Sequence, residues 1–149
     1  MGIRNILVID KEASSCEEAI CICGKALIEA GYVGESFLQG CLEREREYPT
    51  GIPSEIPVAM PHCRDLSIRK GALCLRRLKE PVLFRRMDDD GQSILTDMVF
   101  NLAVSETEDY LAVLKELSRF LKNTKAVREC RELPAKEARR LLERSMGII

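Results

Sequence analysis

A chain of 149 residues, 46% of them hydrophobic, has the length of one domain with a real core, since such a chain buries roughly two thirds of its unfolded surface. Lys plus Arg number 23 against 24 Asp plus Glu, a formal charge of −1, so no overall field draws in nucleic acid or anionic lipid and no nucleic-acid partner is expected. No stretch approaches the roughly 18 uninterrupted apolar residues of a membrane span, and Met1-Gly2-Ile3-Arg4 does not lead into a long apolar run with a small-residue cleavage site; the expectation is a cytoplasmic protein with no direct membrane insertion.

In chain order, Ile6-Leu7-Val8-Ile9 within Ile3–Ile9 suits a short strand, and Asp10–Ser15 a loop. Ser15 with Glu18 has capping-box spacing and opens an amphipathic helix through Ile20, Cys23, Leu27 and Ile28, which Gly31 ends at its C′ position. A second helix spans Glu35–Glu47, with Phe37, Leu38, Cys41 and Leu42 inward, a charged stretch from Glu43 to Glu47, and Pro49 closing it. Pro53, Pro57 and Pro61 forbid a long helix, leaving Val58-Ala59-Met60 as a brief extended segment that ends at Pro61-His62. Gly71–Leu78 reads as a strand, Pro81–Phe84 as a short edge element, Asp88–Gly91 as an exposed turn and Met98–Val104 as a strand buried on both faces.

From Ser105 the period is helical again. Ser105 with Glu108 repeats the capping-box spacing, Leu111, Leu114, Leu117, Phe120 and Leu121 form a stripe, and further helices are expected over Thr124–Cys130 and from Pro134 through Glu143. This order predicts an α/β fold, a three-layer α/β/α arrangement with a small mixed β-sheet, forming a single domain over 1–149.

The seven cysteines, Cys16, Cys21, Cys23, Cys41, Cys63, Cys74 and Cys130, follow no disulfide-scaffold spacing and read as reduced, mostly core residues. Cys21 and Cys23 sit about 200° apart on a helix and cannot share an ion. Asp88-Asp89-Asp90-Gly91 lacks the bidentate glutamate that closes a calcium loop, because Val99 stands at the twelfth position. Neither a metal nor a cofactor is expected.

His62 is the single histidine, which excludes multi-histidine metal sites. Pro61 fixes its own φ and pushes Met60 toward extended geometry, so the chain carrying the imidazole is stiff, as an attacking nitrogen requires. Cys63 beside it points to the opposite face of an extended segment, which argues against a Cys-His nucleophile pair.

The segment Leu42-Glu43-Arg44-Glu45-Arg46-Glu47-Tyr48-Pro49-Thr50-Gly51-Ile52-Pro53, followed by Val58-Ala59-Met60-Pro61-His62, closely resembles the enzyme IIA domain of the bacterial sugar phosphotransferase system, in the fructose and mannitol superfamily and nearest its galactitol-type branch. Gly31-Tyr32-Val33, Leu78–Phe84 and Met98–Ala103 leading into Tyr110-Leu111 agree in order, so the likeness covers about 14–143. The resemblance implies a protein-histidine phosphotransferase component: His62 accepts a phosphoryl group from the histidine-containing phosphocarrier protein and passes it to a IIB component of a sugar permease, for galactitol or a related carbohydrate. It places the assisting arginine on Arg44, and it puts Tyr110 where the family commonly has a second histidine.

A guanidinium fork suits the equatorial oxygens of a phosphoryl group, whereas Arg44 without the motif would read as a helix-end arginine paired with Glu43 or Glu47. A phenol cannot become cationic near neutral pH; Tyr110 is expected to line the site, with donors near Ser105 or a helix N-terminus helping to hold the phosphate. Transfer between proteins further calls for an exposed His62 ringed by modest apolar surface, for which Met60 and Leu66 are candidates. Two other readings stand beside this one: a phosphorylation-dependent regulatory or interaction module on the same fold, which Tyr110 favours, and a small binding domain without histidine chemistry.

Overall fold

Alternation along each strand decides which face of the sheet a side chain covers. The computed structural model describes residues 3 and 5–146; Met1, Gly2, Arg4 and 147–149, and with them the leader expectation at Met1–Arg4, lie outside the described residues. Its elements run β1 (Asn5–Asp10), α1 (Cys16–Glu29), α2 (Glu35–Glu47), β2 (Gly51–Ile52), β3 (Val58–Ala59), β4 (Ala72–Arg85), β5 (Ser93–Ala103), α3 (Tyr110–Leu121), α4 (Thr124–Glu132) and α5 (Ala135–Ser145). The five strands form one mixed sheet in the order β1-β4-β5-β3-β2: the β1–β4 and β3–β5 pairs are parallel, while the β4–β5 and β2–β3 pairs are antiparallel.

Ala72, Cys74, Val99 and Ala103 face α1 and α2, in a cluster with Ile20, Leu27, Phe37 and Cys41. Leu73, Leu75, Met98, Phe100 and Leu102 face the other way, onto Val113, Leu117, Val127 and Leu142 of α3, α4 and α5. The sheet is therefore the middle layer of an α/β/α sandwich, and the period of two puts an apolar face on each side. Cys23, Cys41, Cys63, Cys74 and Cys130 are buried, Cys16 and Cys21 half-buried, and all are free thiols.

Local signals fix the helix ends. Ser15 Oγ accepts from Glu18 N–H at 3.1 Å, and Glu18 reaches back to the N–H of Ser14 at 2.8 Å, one residue earlier than a strict capping box. Gly31 takes φ +84° after α1, a conformation that side chains resist.

Three expectations are corrected. Pro81–Phe84 is not a separate edge element but the continuation of β4; the ladder is irregular between Arg77 and Val82, which is where Pro81, lacking an N–H, is tolerated. The strand expected from Met98 begins at Ser93, because Ser93–Thr96 pairs with the far half of β4. Ser105 and Glu108 do not cap a helix: Ser105 N–H and Oγ both donate to Glu108 Oε1 within a turn, and α3 starts at Tyr110 under Asp109, whose carboxylate accepts from Ala112 N–H at 3.1 Å. The buried residues of α3 are Val113, Leu117, Phe120 and Leu121, whereas Leu111 is 69% exposed.

Candidate active site

The site is assembled where the end of α2, the β2–β3 pair and the chain after β3 meet. Glu45, within the charged stretch of α2, turns inward and is buried, and its carboxylate accepts from both the N–H and the Oγ1 of Thr50 at 2.8 Å. Thr50 in turn takes the Met60 N–H on its carbonyl and its hydroxyl, at 3.3 and 3.2 Å. Arg85 of β4 donates to the carbonyls of Glu45 and Arg46, satisfying the end of α2. The glycine of Pro49-Thr50-Gly51 has a steric reason: a Cβ there would lie 2.6 Å from the carbonyl oxygen of Arg85.

Beyond Met60 the chain is pinned to β5. The Pro61 carbonyl accepts from Leu102 N–H and from Asn101 Nδ2, both at 3.0 Å, and His62 forms a bridge with Leu102. The imidazole folds back on its own segment, with Nδ1 2.8 Å from the Met60 carbonyl oxygen. A carbonyl only accepts, so Nδ1 carries the hydrogen, and in the neutral ring Nε2 holds the free lone pair.

His62 is only 5% exposed, which corrects the expectation of a ring standing clear of the protein; it borders an open cleft of about 600 Å³ shared with Arg44, Tyr48, Thr50 and the acidic turn at Asp88–Asp90. Burial pulls its pKa below the ordinary histidine value and the Arg44 charge adds to that, while the Met60 hydrogen bond works the other way. The ring is neutral, and therefore nucleophilic, at neutral pH.

Arg44 lines the same cleft, and its guanidinium lies 5.4 Å from the centre of the Tyr48 ring. Among the described residues it makes no ion pair with Glu43 or Glu47, the pairing that a plain helix-end arginine would show, and its Nε is buried without a partner. Tyr110, at the start of α3, brings its ring to 6.3 Å from the His62 ring, tilted by 47°. Burial pushes its phenol above the usual tyrosine pKa, against the Arg44 and Arg64 charges, so the ring stays neutral.

Other expectations about the surroundings change. Ser105 is buried and its hydroxyl is engaged by Glu108 and Thr107, while at the α3 N-terminus the Asp109 carboxylate takes the Ala112 N–H. Met60 is a core residue, 4% exposed, whereas Leu66 is 85% exposed. Cys63 faces away from His62, its Sγ 3.8 Å from Cys41 Sγ and 3.5 Å from the Phe37 carbonyl. Asp88 pairs with Arg86 at 2.7 Å and Asp89 accepts from Gly91 N–H, as in a plain turn.

Two residues near the site were not singled out by the sequence. Glu45 continues the inward row Phe37, Cys41 at a spacing of four, a signal masked by its charged neighbours. Arg64 stands over the Tyr110 ring, its guanidinium carbon 4.6 Å from the centroid; its position two residues after His62 on an extended segment was the available clue.

Residues 3–144 match the family described as phosphoenolpyruvate-dependent sugar phosphotransferase system, EIIA 2. The galactitol-specific EIIA component of Escherichia coli K12 is 31% identical over 93 residues, 62% of this chain and 61% of that protein, so the match spans about three fifths of the relative's length. The mannitol-specific enzyme IIA component of Enterococcus faecalis is 23% identical over 140 residues, 91% of this chain and 92% of the relative. Two solved structures are similar: IIA mannitol of Escherichia coli, with a TM-score of 0.71 and 26% identity over 95% of this chain and 98% of that one, and the complex of enzyme IIA and phosphorylated enzyme IIB for mannitol from Escherichia coli, with a TM-score of 0.72 and 25% identity over 95% and 96%.

Proposed function

The chain belongs to the EIIA 2 family of the phosphoenolpyruvate-dependent sugar phosphotransferase system, and from that membership and the geometry around His62 we propose that it is a cytoplasmic phosphoryl carrier. It accepts a phosphoryl group on His62 from the histidine-containing phosphocarrier protein and donates it to the IIB component of a permease for galactitol or a related carbohydrate. The solved IIA–IIB complex of the mannitol system supports the second partner, and the galactitol-specific relatives support the carbohydrate class.

The observation that carries the reading is the pairing of a neutral imidazole, its Nδ1–H given to the Met60 carbonyl, with an unpartnered guanidinium Nε on Arg44 in the same cleft. Nε2 of His62 attacks the phosphorus of the donor's phosphohistidine in line. As the new N–P bond forms, the donor's N–P bond breaks and its electron pair returns to the donor nitrogen. The Met60 carbonyl stabilises the positive charge that develops on the His62 ring, and Arg44 shares the negative charge of the equatorial oxygens. The second transfer runs the same steps in reverse toward the IIB acceptor. Because the ring is recessed, the partner must present its own reacting group into the cleft, and the exposed Leu66 and Leu111, four residues after His62 and next to Tyr110 in the chain, offer apolar contact.

Incubation with the phosphocarrier protein, its upstream enzyme and phosphoenolpyruvate, followed by mapping of acid-labile phosphate, tests this. Wild type is labelled on His62, His62→Gln is not, and Arg44→Ala is labelled about 10²–10³-fold more slowly. Label on His62→Gln would overturn the assignment. The neutral Tyr110 in place of a second histidine favours one rival, a regulatory module; phosphate accepted on His62 but never passed to a IIB partner would select it.

A further inference from the structure

Tyr110 leaves the site short of a charge. Near neutral pH a phosphoryl group carries close to two negative charges, and a phenol cannot supply the positive charge of an imidazolium. Around His62, however, the chain alternates its side chains. His62 lies against the Tyr110 ring, Cys63 points the other way to Cys41 and the Phe37 carbonyl beneath α2, and Arg64 returns to the Tyr110 ring.

One aromatic ring thus touches both the proposed nucleophile and an exposed guanidinium, with centroid distances of 6.3 Å to the imidazole and 4.6 Å to the guanidinium carbon. Among the described residues Arg64 makes no hydrogen bond and no ion pair, although Asp65 and Glu106 line with it a shallow cleft separate from that of His62 and Arg44. Asp65 Oδ2 accepts from Ser36 and from the N–H and hydroxyl of Ser67, so Asp65 Oδ1 and the Glu106 carboxylate are the acceptors of that cleft able to compete. Contact with the ring limits where the guanidinium can go while leaving its N–H groups, which radiate in the guanidinium's own plane, unused.

Building on the phosphoryl-carrier reading, we propose that Arg64 is the second cationic group of the His62 site, seated on Tyr110 so that its N–H groups meet the phosphoryl oxygens once Nε2 carries them. Arg44 and Arg64 then approach the anion from the α2 side and the α3 side, and Tyr110 acts as the platform for the second of these rather than as a substitute for the missing histidine. No additional bond is made or broken; Arg64 contributes hydrogen bonds and charge alone.

Arg64 is exposed, so its replacement leaves the core intact, and a change in thermal melting is not expected. Two measurements on purified protein test the proposal. In single-turnover transfer from the phosphorylated phosphocarrier protein, Arg64→Ala is slowed at least tenfold, Arg64→Lys recovers most of that loss, and Tyr110→Ala is slowed more than Tyr110→Phe, which keeps the platform. In the second, the phosphorylated protein is freed of its partners and the loss of phosphate from His62 is followed in buffer. Arg64→Ala shortens the lifetime at least threefold if the guanidinium touches the phosphoryl group. An unchanged lifetime with slower transfer would mean that Arg64 only docks the partner, and would overturn the proposal, as would an unchanged rate. Failure of the wild type to take phosphate on His62 would instead remove the carrier reading, and the proposal with it.

Discussion

Met60 gives the carbonyl that orients the His62 ring, and burial keeps that ring uncharged, so the proposed nucleophile is held in one tautomer before any partner arrives. The consequence for pH is directional. Because the folded pKa lies below the unfolded value of about 6.5, transfer into His62 holds its plateau below that pH and falls only as the ring protonates at its lowered value. The rate profile of single-turnover labelling, set beside an NMR titration of the ring, checks this, and an acid limb at or above the ordinary histidine pKa contradicts it. Stability follows the same sign: between the two pKa values the folded state binds fewer protons than the unfolded one, so the contribution of His62 is present above the unfolded pKa and is lost as pH falls through the folded one. Arg44 separates geometry from charge. Arg44→Lys keeps the charge but not the planar fork, and it is expected to transfer phosphate more slowly than wild type and faster than Arg44→Ala, measured in the same assay.

At the scale of elements, the carboxylate that joins α2 to the Pro49-Thr50-Gly51 turn is also what sets the height of His62, since Thr50 holds Met60 and Met60 holds the ring. Glu45→Ala leaves the buried Thr50 N–H without an acceptor and is expected to cost about 1–3 kcal/mol in chemical denaturation. Gly51→Ala drives a Cβ against the backbone of β4 and is expected to cost about 1–3 kcal/mol, whereas Gly91→Ala, whose nearest neighbour is Asp89 Oδ1 at 3.4 Å in an exposed turn, stays within about 0.5 kcal/mol of wild type. Equal losses at the two glycines would remove the steric account of the motif.

The bounds of α2 were legible because a local stripe and a following proline fix them, but the inward turn of Glu45 was hidden in a run of charges. The start of α3 was misplaced because Ser105 and Glu108 satisfy each other within a turn, so that capping-box spacing occurs with no helix behind it. Pro81 broke a strand in the sequence that the sheet accommodates as an irregularity, a tertiary solution that no local pattern displays.

For the whole molecule, alternation of apolar residues along the strands and the distribution of helices around them predicted a layered α/β arrangement, and the two faces of the sheet carry separate apolar clusters as that pattern requires. Strand order was not legible, since the parallel β1–β4 and β3–β5 pairs join segments far apart in the chain. For the same reason the motif singled out His62 and Arg44, which line one cleft, but could not give the recess around the ring, nor the approach of Arg64 to Tyr110 across two distant segments. All of the proposed chemistry passes through one nitrogen. Protein labelled with 15N-histidine and phosphorylated through the carrier relay should show 31P coupling to Nε2 of His62, with Nδ1 still bearing its proton; coupling to Nδ1, or phosphate on any other residue, would contradict the account.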